Sequence, residues 1–87
     1  MRRQMNKIIK ASGPNTVKVN SAVAMNKLQE TLLRNMVGGS TVLIERQIAE
    51  VYICLEQLRI IYAIDESDID RTICRQVERK LDRINKG

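Results

Sequence analysis

Apolar side chains recur at intervals of three and four residues along most of this chain, which is the spacing of one face of an α-helix. The clearest run covers residues 41–62, and Ser40 or Thr41 can cap its first turn. Further apolar residues such as Ile53 and Ile60 widen the surface beyond one stripe, which predicts a central helix with more than one neighbour. The predicted core or oligomer stripe consists of Ile44, Ile48, Val51, Leu55, Leu58 and Tyr62.

Three further helices are predicted from the same spacing. Met5 and Ile9 belong to a short apolar face that ends at the Gly13-Pro14 turn, so residues 1–15 form a short helix or a loose arm. A second helix follows Thr16 and stops at the glycine pair 38–39, where the chain turns. Since the loops are short, residues 16–87 form one helical domain in which consecutive helices are antiparallel neighbours.

The fourth predicted helix begins after a cluster of acidic and capping residues and runs to about Asn85. Negative charge at its start suits the positive end of the helix dipole. Its apolar positions recur at intervals of four, four, four and three residues, which gives one continuous face. That face consists of Ile69, Ile73, Val77, Leu81 and Ile84.

The composition makes stability the main physical problem of this sequence. With 87 residues, no His and two widely separated cysteines, the chain offers neither a metal cluster nor a disulfide framework. A domain of this size buries only about 60% of its unfolded surface. Aromatic residues are nearly absent, which favours helix-on-helix packing of aliphatic side chains. We therefore predict a small all-α helical bundle that is stabilised by assembly as a homo-oligomer.

Localisation in the cytoplasm is the expectation from apolar segments and cysteine usage. No stretch approaches the roughly 18 consecutive apolar residues that a membrane span needs. The charged start of the chain is not followed by the apolar segment of a signal peptide. Cys54 and Cys74 are read as buried small hydrophobic residues in a reducing compartment. We predict a cytoplasmic protein without membrane contact.

Positive charge is concentrated at both ends of the chain, and the net charge is +5. Arginines at four-residue intervals along the last helix can bind phosphates or an acidic protein surface, although a solvated face is the competing interpretation. The row has no interleaved aromatic side chains for base stacking, so only sequence-independent nucleic-acid contact is compatible with it. The residues of this candidate anionic-partner site are Arg71, Arg75, Arg79, Arg83 and Lys80.

The sequence contains few residues that could form a catalytic site. The Gly38-Gly39-Ser40-Thr41 segment lacks the spacing and Lys of a P-loop, so it is interpreted as a turn followed by a helix cap. No His is present to activate a serine, and neither cysteine has a visible base partner. Four or more convergent carboxylates cannot be assembled from the acidic residues of the second and third helices, which leaves a Mg²⁺ site incomplete.

Residues 44–58 (IERQIAEVYICLEQL) and 60–65 (IIYAID) resemble the third helix of phage-type MazG-like nucleoside triphosphate pyrophosphohydrolases. The usual sequence of that helix is close to E-E-I-A-D-V-x-I-M-L-E-Q-L. Residues 77–84 (VERKLDRI) are similar to the closing helix of that family, and residues 25–30 (MNKLQE) to its second helix. The resemblance covers about 65 residues. It implies an all-α nucleotide pyrophosphohydrolase fold that dimerises or tetramerises and binds Mg²⁺ through E-E-x-x-E and E-x-x-D motifs.

Both metal motifs are damaged in this chain. The E-x-x-D counterpart is Gln47 to Glu50, and the E-E-x-x-E counterpart keeps at most Glu30. We therefore expect an inactive MazG-like scaffold without a cofactor, a phage-encoded regulator or inhibitor that binds a protein partner. The alternatives are a divergent active hydrolase that uses Mg²⁺ with Glu30, Glu50 and Glu45, and nucleic-acid binding through the arginine row.

Overall fold

The computed structural model describes residues 2–34 and 41–86, and these residues form helices joined by short connections, without a strand. The all-α class is therefore confirmed. None of the helices in these two ranges combines the length and the apolar character needed to cross a membrane. The four helices are α1 (Arg2–Ser12), α2 (Pro14–Arg34), α3 (Thr41–Ile61) and α4 (Glu66–Lys86).

Gly13 separates α1 from α2 and allows one to follow the other directly. Its φ of 88° lies in the left-handed region, which glycine adopts without a steric penalty. Its N–H donates to the Ile9 carbonyl over 2.8 Å, while its own carbonyl accepts from the Val17 N–H over 3.1 Å. Pro14 then occupies the first helical position, where no N–H is needed. The second helix thus begins at Pro14, before the predicted start after Thr16.

The predicted turn and cap between the second and third helices includes the glycine pair 38–39 and Ser40, and these residues lie outside the described ranges. Thr41 is the first residue of α3, and Ile61 is its last. The central helix of residues 41–62 was therefore placed correctly to within one residue. Because α3 packs against both α1 and α2, the prediction of more than one neighbour is confirmed.

The core of the single chain is small and lies where α1, α2 and α3 meet. Ser21 is 1% exposed, and its hydroxyl is satisfied because it donates to the Val17 carbonyl over 2.7 Å. Gln57 is a second buried polar side chain, on α3. The buried apolar residues are Met5, Val17, Ala24 and Cys54. Met5 anchors α1 against α2 and α3, so residues 2–12 form a short packed helix and not a loose arm.

The predicted stripe of α3 is not the buried core of a single chain. Buried positions on α3 are Cys54 and Gln57, which lie on a different side of the helix from the middle of the stripe. Half of the stripe is half-buried and half is exposed: Ile44, Val51 and Leu58 are the half-buried residues, and Ile48, Leu55 and Tyr62 are the exposed ones. Whether the stripe forms an oligomer contact stays a prediction.

The corner between α3 and α4 is a Schellman motif, which is defined by two reverse hydrogen bonds at a helix end. The Ala63 N–H donates to the Ile60 carbonyl over 3.1 Å, and the Ile64 N–H donates to the Arg59 carbonyl over 3.0 Å. Ala63 has a φ of 53° at the position where glycine is usual. Beside the corner, Lys18 Nζ lies 4.7 Å from the centre of the Tyr62 ring and links it to α2.

Ala63→Gly is expected to stabilise the chain by about 0.5–1 kcal/mol, because glycine removes the cost of the left-handed conformation. Ala22→Gly is the matched control: Ala22 lies in the interior of α2 and is exposed, so the same substitution should destabilise the chain by about 1 kcal/mol there. Urea unfolding followed by circular dichroism measures both changes. Equal destabilisation by the two substitutions would contradict the Schellman corner.

The fourth helix does not lie along its neighbours. It makes no extensive packing contact with α1, α2 or α3, so the prediction that consecutive helices are antiparallel neighbours is wrong for α3 and α4. The reason is the corner, whose hydrogen bonds direct α4 away from the core. The radius of gyration is accordingly 15.9 Å, whereas a compact chain of this length has about 12 Å. A single copy is therefore an open structure.

Candidate interaction surface on the fourth helix

One face of α4 is apolar, and the described part of the chain does not cover it. No residue of α4 is buried, and Val77 in the middle of the helix is 47% exposed. Towards the C-terminal end the exposed fraction rises to 73% at Ile84. We call this face the α4 stripe, and it consists of Ile69, Ile73, Val77, Leu81 and Ile84. A row at four-residue intervals is the ridge that commonly packs between the ridges of another helix.

The opposite face of α4 carries the predicted arginine row. Successive residues turn by about 100° around a helix, which places the row of Arg71, Arg75, Arg79 and Arg83 on the far side from the α4 stripe. Arg71 forms an ion pair with Asp68, one turn before it. Within the described ranges, Arg75, Arg79 and Arg83 form no ion pair. Three guanidinium groups are thus available to an anionic partner.

Lys80 is positioned between the two faces of α4. It lines a shallow hollow together with Gln76, Arg79 and Arg83. Its position on the helix is closer to the α4 stripe than to the arginine row. Lys80 therefore borders the arginine row beside Arg79 and Arg83, whereas the four arginines lie opposite to the apolar face.

Arg59 fixes the corner from which α4 starts. Its guanidinium donates to both carboxylate oxygens of Glu56, with Nε 3.1 Å from Oε2, and Nη1 also donates to the Ile64 carbonyl over 3.0 Å. Only 11% of the Arg59 side chain is exposed. The hydrogen bond from Arg59, supported by the attraction between the two charges, lowers the pKa of Glu56 below its usual 4.5, although burial acts in the other direction.

Glu56→Gln is expected to destabilise the chain at neutral pH and to have less effect in acid. A lowered carboxyl pKa contributes stability that is fully present above 4.5 and is lost as the pH falls through the folded-state pKa. The difference in unfolding free energy between wild type and variant should therefore narrow below pH 4.5. Urea unfolding at pH 7 and in acid measures it.

Glu45→Gln serves as the control for that comparison. Glu45 is exposed and forms no ion pair within the described ranges, so its substitution should leave stability almost unchanged at either pH. The Glu56→Gln variant could instead lose the same amount of unfolding free energy at both pH values. That result would show that the carboxylate charge does not stabilise the corner. In that case only the shape of the side chain would matter.

The three carboxylates predicted for an active hydrolase do not converge. Glu30, Glu45 and Glu50 are all exposed. Within the described ranges, no group of three or more Asp, Glu, His or Cys side chains is arranged to hold a metal ion. Mg²⁺ prefers six oxygen ligands in near-octahedral geometry, so these residues do not fit it.

Glu50 does line an open groove of about 490 Å³ between α2 and α3, together with Asn20, Arg46, Cys54 and Gln57. The positive charge of Arg46 in the same groove disfavours a divalent cation there. Near this region the Gln47 Oε1 atom is buried and accepts no hydrogen bond from the described residues. Gln47 as a whole is half-buried, and the sequence resemblance aligns this uncharged residue with an acidic ligand.

A second groove between the same helices is almost entirely apolar. Its volume is about 310 Å³, and we call it the α2–α3 groove. Leu32 and Leu33 at its edge are 49% and 63% exposed. It is lined by Met25, Leu28, Gln29, Leu32, Leu33 and Val51. The spacing of the apolar residues on α2 predicted a helix face, but which part of it stays uncovered depends on how α2 and α3 pack.

No protein-family model, curated protein or solved structure matches this chain. The MazG-like resemblance consequently rests on the amino-acid sequence of residues 44–58 and of the shorter segments 25–30 and 77–84. Among the surfaces that the described residues form, the exposed α4 is the most distinctive.

Proposed function

We propose that this chain is a catalytically inactive helical scaffold of MazG-like type that self-associates and binds a macromolecular partner. The observation that carries the proposal is α4, a helix of 21 residues with no buried residue. It has an apolar stripe on one face and, on the other, three arginines that form no ion pair with the described residues. Such a helix contributes little to the core of its own chain. An exposed apolar face of this length is typical of interaction surfaces.

The absence of catalysis is proposed because the ligand set is incomplete. On the resemblance, Gln47 replaces one acidic ligand of the MazG-like motif. Glu30 and Glu50 are exposed, and the described residues contain no group of three or more side chains that could hold a metal ion. Pyrophosphohydrolases of this type need several anionic ligands to hold the Mg²⁺ ions, because it is the positive charge of these ions that stabilises the negative charge developing on the phosphates. A regulator encoded by a phage to bind a host protein is consistent with a scaffold of this kind.

Incubation of the purified protein with each common nucleoside triphosphate and Mg²⁺ or Mn²⁺ tests the inactivity. We expect no release of pyrophosphate above the rate without protein. Release that is abolished by Glu50→Ala would overturn the proposal in favour of a divergent hydrolase.

Affinity purification from the native host, with a chain carrying Arg75→Ala as the comparison, tests partner binding. Recovery of only weak and non-saturable partners would count against it.

A second candidate function is sequence-independent binding of nucleic acid. The observation that favours it is that Arg75, Arg79 and Arg83 form no ion pair within the described ranges. A guanidinium group that contacts a phosphate releases a bound counterion, so affinity should fall steeply with salt. Removing one phosphate contact by Arg75→Ala should lower the salt slope by about 1. Lys10→Ala on α1 is the control and should leave the slope unchanged.

A further inference from the structure

Two apolar surfaces of this chain have matching character, and residues 2–34 and 41–86 leave both uncovered. The first is the α4 stripe, and the second is the α2–α3 groove. We propose that the α4 stripe of one copy docks into the α2–α3 groove of a second copy, and that the second copy returns the contact, which gives a two-fold symmetric dimer. This inference rests on the proposed self-association and names its mode.

The groove has the chemistry that an amphipathic helix recognises. Its lining is apolar apart from Gln29. On α2, Leu28 and Leu32 are four residues apart, which is the spacing of a ridge on the helix surface. The α4 stripe presents a ridge of the same period, and two such ridges interdigitate in the commonest class of helix packing. An amphipathic helix bound in an apolar groove is also a recurrent mode of protein recognition.

The corner between α3 and α4 determines that the occupant comes from another copy. If α4 folded back onto its own groove, the Schellman hydrogen bonds of Ala63 and Ile64 would have to break. The hydrogen bond from Arg59 to the Ile64 carbonyl opposes the same movement. These interactions keep α4 away from its own groove and free to reach the equivalent groove of a second copy.

The exposed area of the single chain agrees with a missing partner. The chain exposes 7332 Å², whereas a compact monomer of 10.0 kDa exposes about 5,200 Å². A stable interface removes about 800 Å² from each partner, so the excess of the single chain is more than sufficient. In a reciprocal arrangement each copy contributes both a helix and a groove. The interface therefore contains two helix-in-groove contacts, which a single contact between two α4 helices would not provide.

Reciprocal docking leaves the arginine row available. Because Arg75 and Arg79 lie on the face of α4 opposite to the stripe, they stay exposed when the stripe enters the groove. The dimer then presents two arginine rows related by its two-fold axis. An anionic partner that spans both rows would bind more tightly than one row allows, because the second contact forms within the same complex.

A mixed cross-linking experiment on the 87-residue chain tests the docking mode. One chain carries Gln29→Cys and Cys74→Ser, and the other is the wild type, whose Cys74 is exposed on α4. Neither chain alone contains both reactive positions, so a link between position 29 and Cys74 forms only between copies. Both substituted residues are exposed, so the fold is preserved. A short bifunctional maleimide is added, and products are identified by peptide mass spectrometry.

We expect covalent heterodimers linked through position 29 and Cys74. A control chain with Lys10→Cys and Cys74→Ser should give little product with the wild type, since Lys10 lies on α1 outside the groove. The mixture could instead show the mass of a dimer but contain only links between two Cys74 residues. That result would overturn the docking mode and leave self-association intact. Monomer mass without any link would overturn both the docking mode and the self-association on which it rests.

Discussion

Val77→Asp is expected to convert the associated protein into monomers. Val77 lies in the middle of the α4 stripe and is 47% exposed in the single chain, so association would cover it. An aspartate is too short to reach solvent from a covered position, and an unpaired buried charge costs on the order of 3 kcal/mol or more. The dissociation constant should therefore rise by at least about 100-fold. Sedimentation equilibrium at micromolar concentration measures the change.

Arg75→Asp is the matched control for Val77→Asp. It introduces the same side chain two residues away, on the opposite face of α4, where it stays in water. The control chain should keep the mass of the associated protein. If Val77→Asp also kept that mass while its helix content matched the wild type, the α4 stripe would not be an association surface.

Met5→Ala is expected to lower the free energy of unfolding by about 2–3 kcal/mol, because the substitution leaves a cavity in a small core. Met5 is 7% exposed and is the buried residue of α1. Lys7→Ala on the exposed side of the same helix should change stability by less than about 0.5 kcal/mol. Urea unfolding measures both. If Met5→Ala had as little effect as Lys7→Ala, α1 would be a loose arm in solution.

The helices of this chain could be predicted from sequence because their apolar residues follow a helical period. The three-residue and four-residue intervals between apolar residues predicted the ends of α3 to within one residue. The acidic residues at the start of α4 placed its first turn near Glu66. The α4 stripe was also predictable, because one face of that helix is apolar and the opposite face is charged. These features depend only on residues that are close in sequence.

The core could not be predicted with the same success. Because α3 is apolar around much of its circumference, periodicity does not determine which side faces α1 and α2. The buried side carries Cys54 and Gln57, and the predicted stripe stays half-buried or exposed. A buried Gln in place of an apolar residue gives no signal in a hydrophobic pattern. Burial on such a helix is decided by its neighbours.

The direction of α4 was missed for a different physical reason. Short loops predict antiparallel neighbours, but here the corner depends on the left-handed Ala63 and on the hydrogen bonds of Arg59. Alanine is not the usual residue for that conformation, so the sequence carries no clear Schellman signal. The Glu56 and Arg59 pair, three residues apart on one helix, is the local feature that could have indicated a fixed corner.

The proposed role of this chain depends on a second copy to cover the apolar surface that α4 exposes. Light scattering of the intact wild-type chain during size-exclusion chromatography, over a range of micromolar concentrations, tests this most directly. A single chain has a mass of 10.0 kDa, so the reciprocal dimer predicts about twice that value. A mass of 10.0 kDa at every concentration would contradict the account.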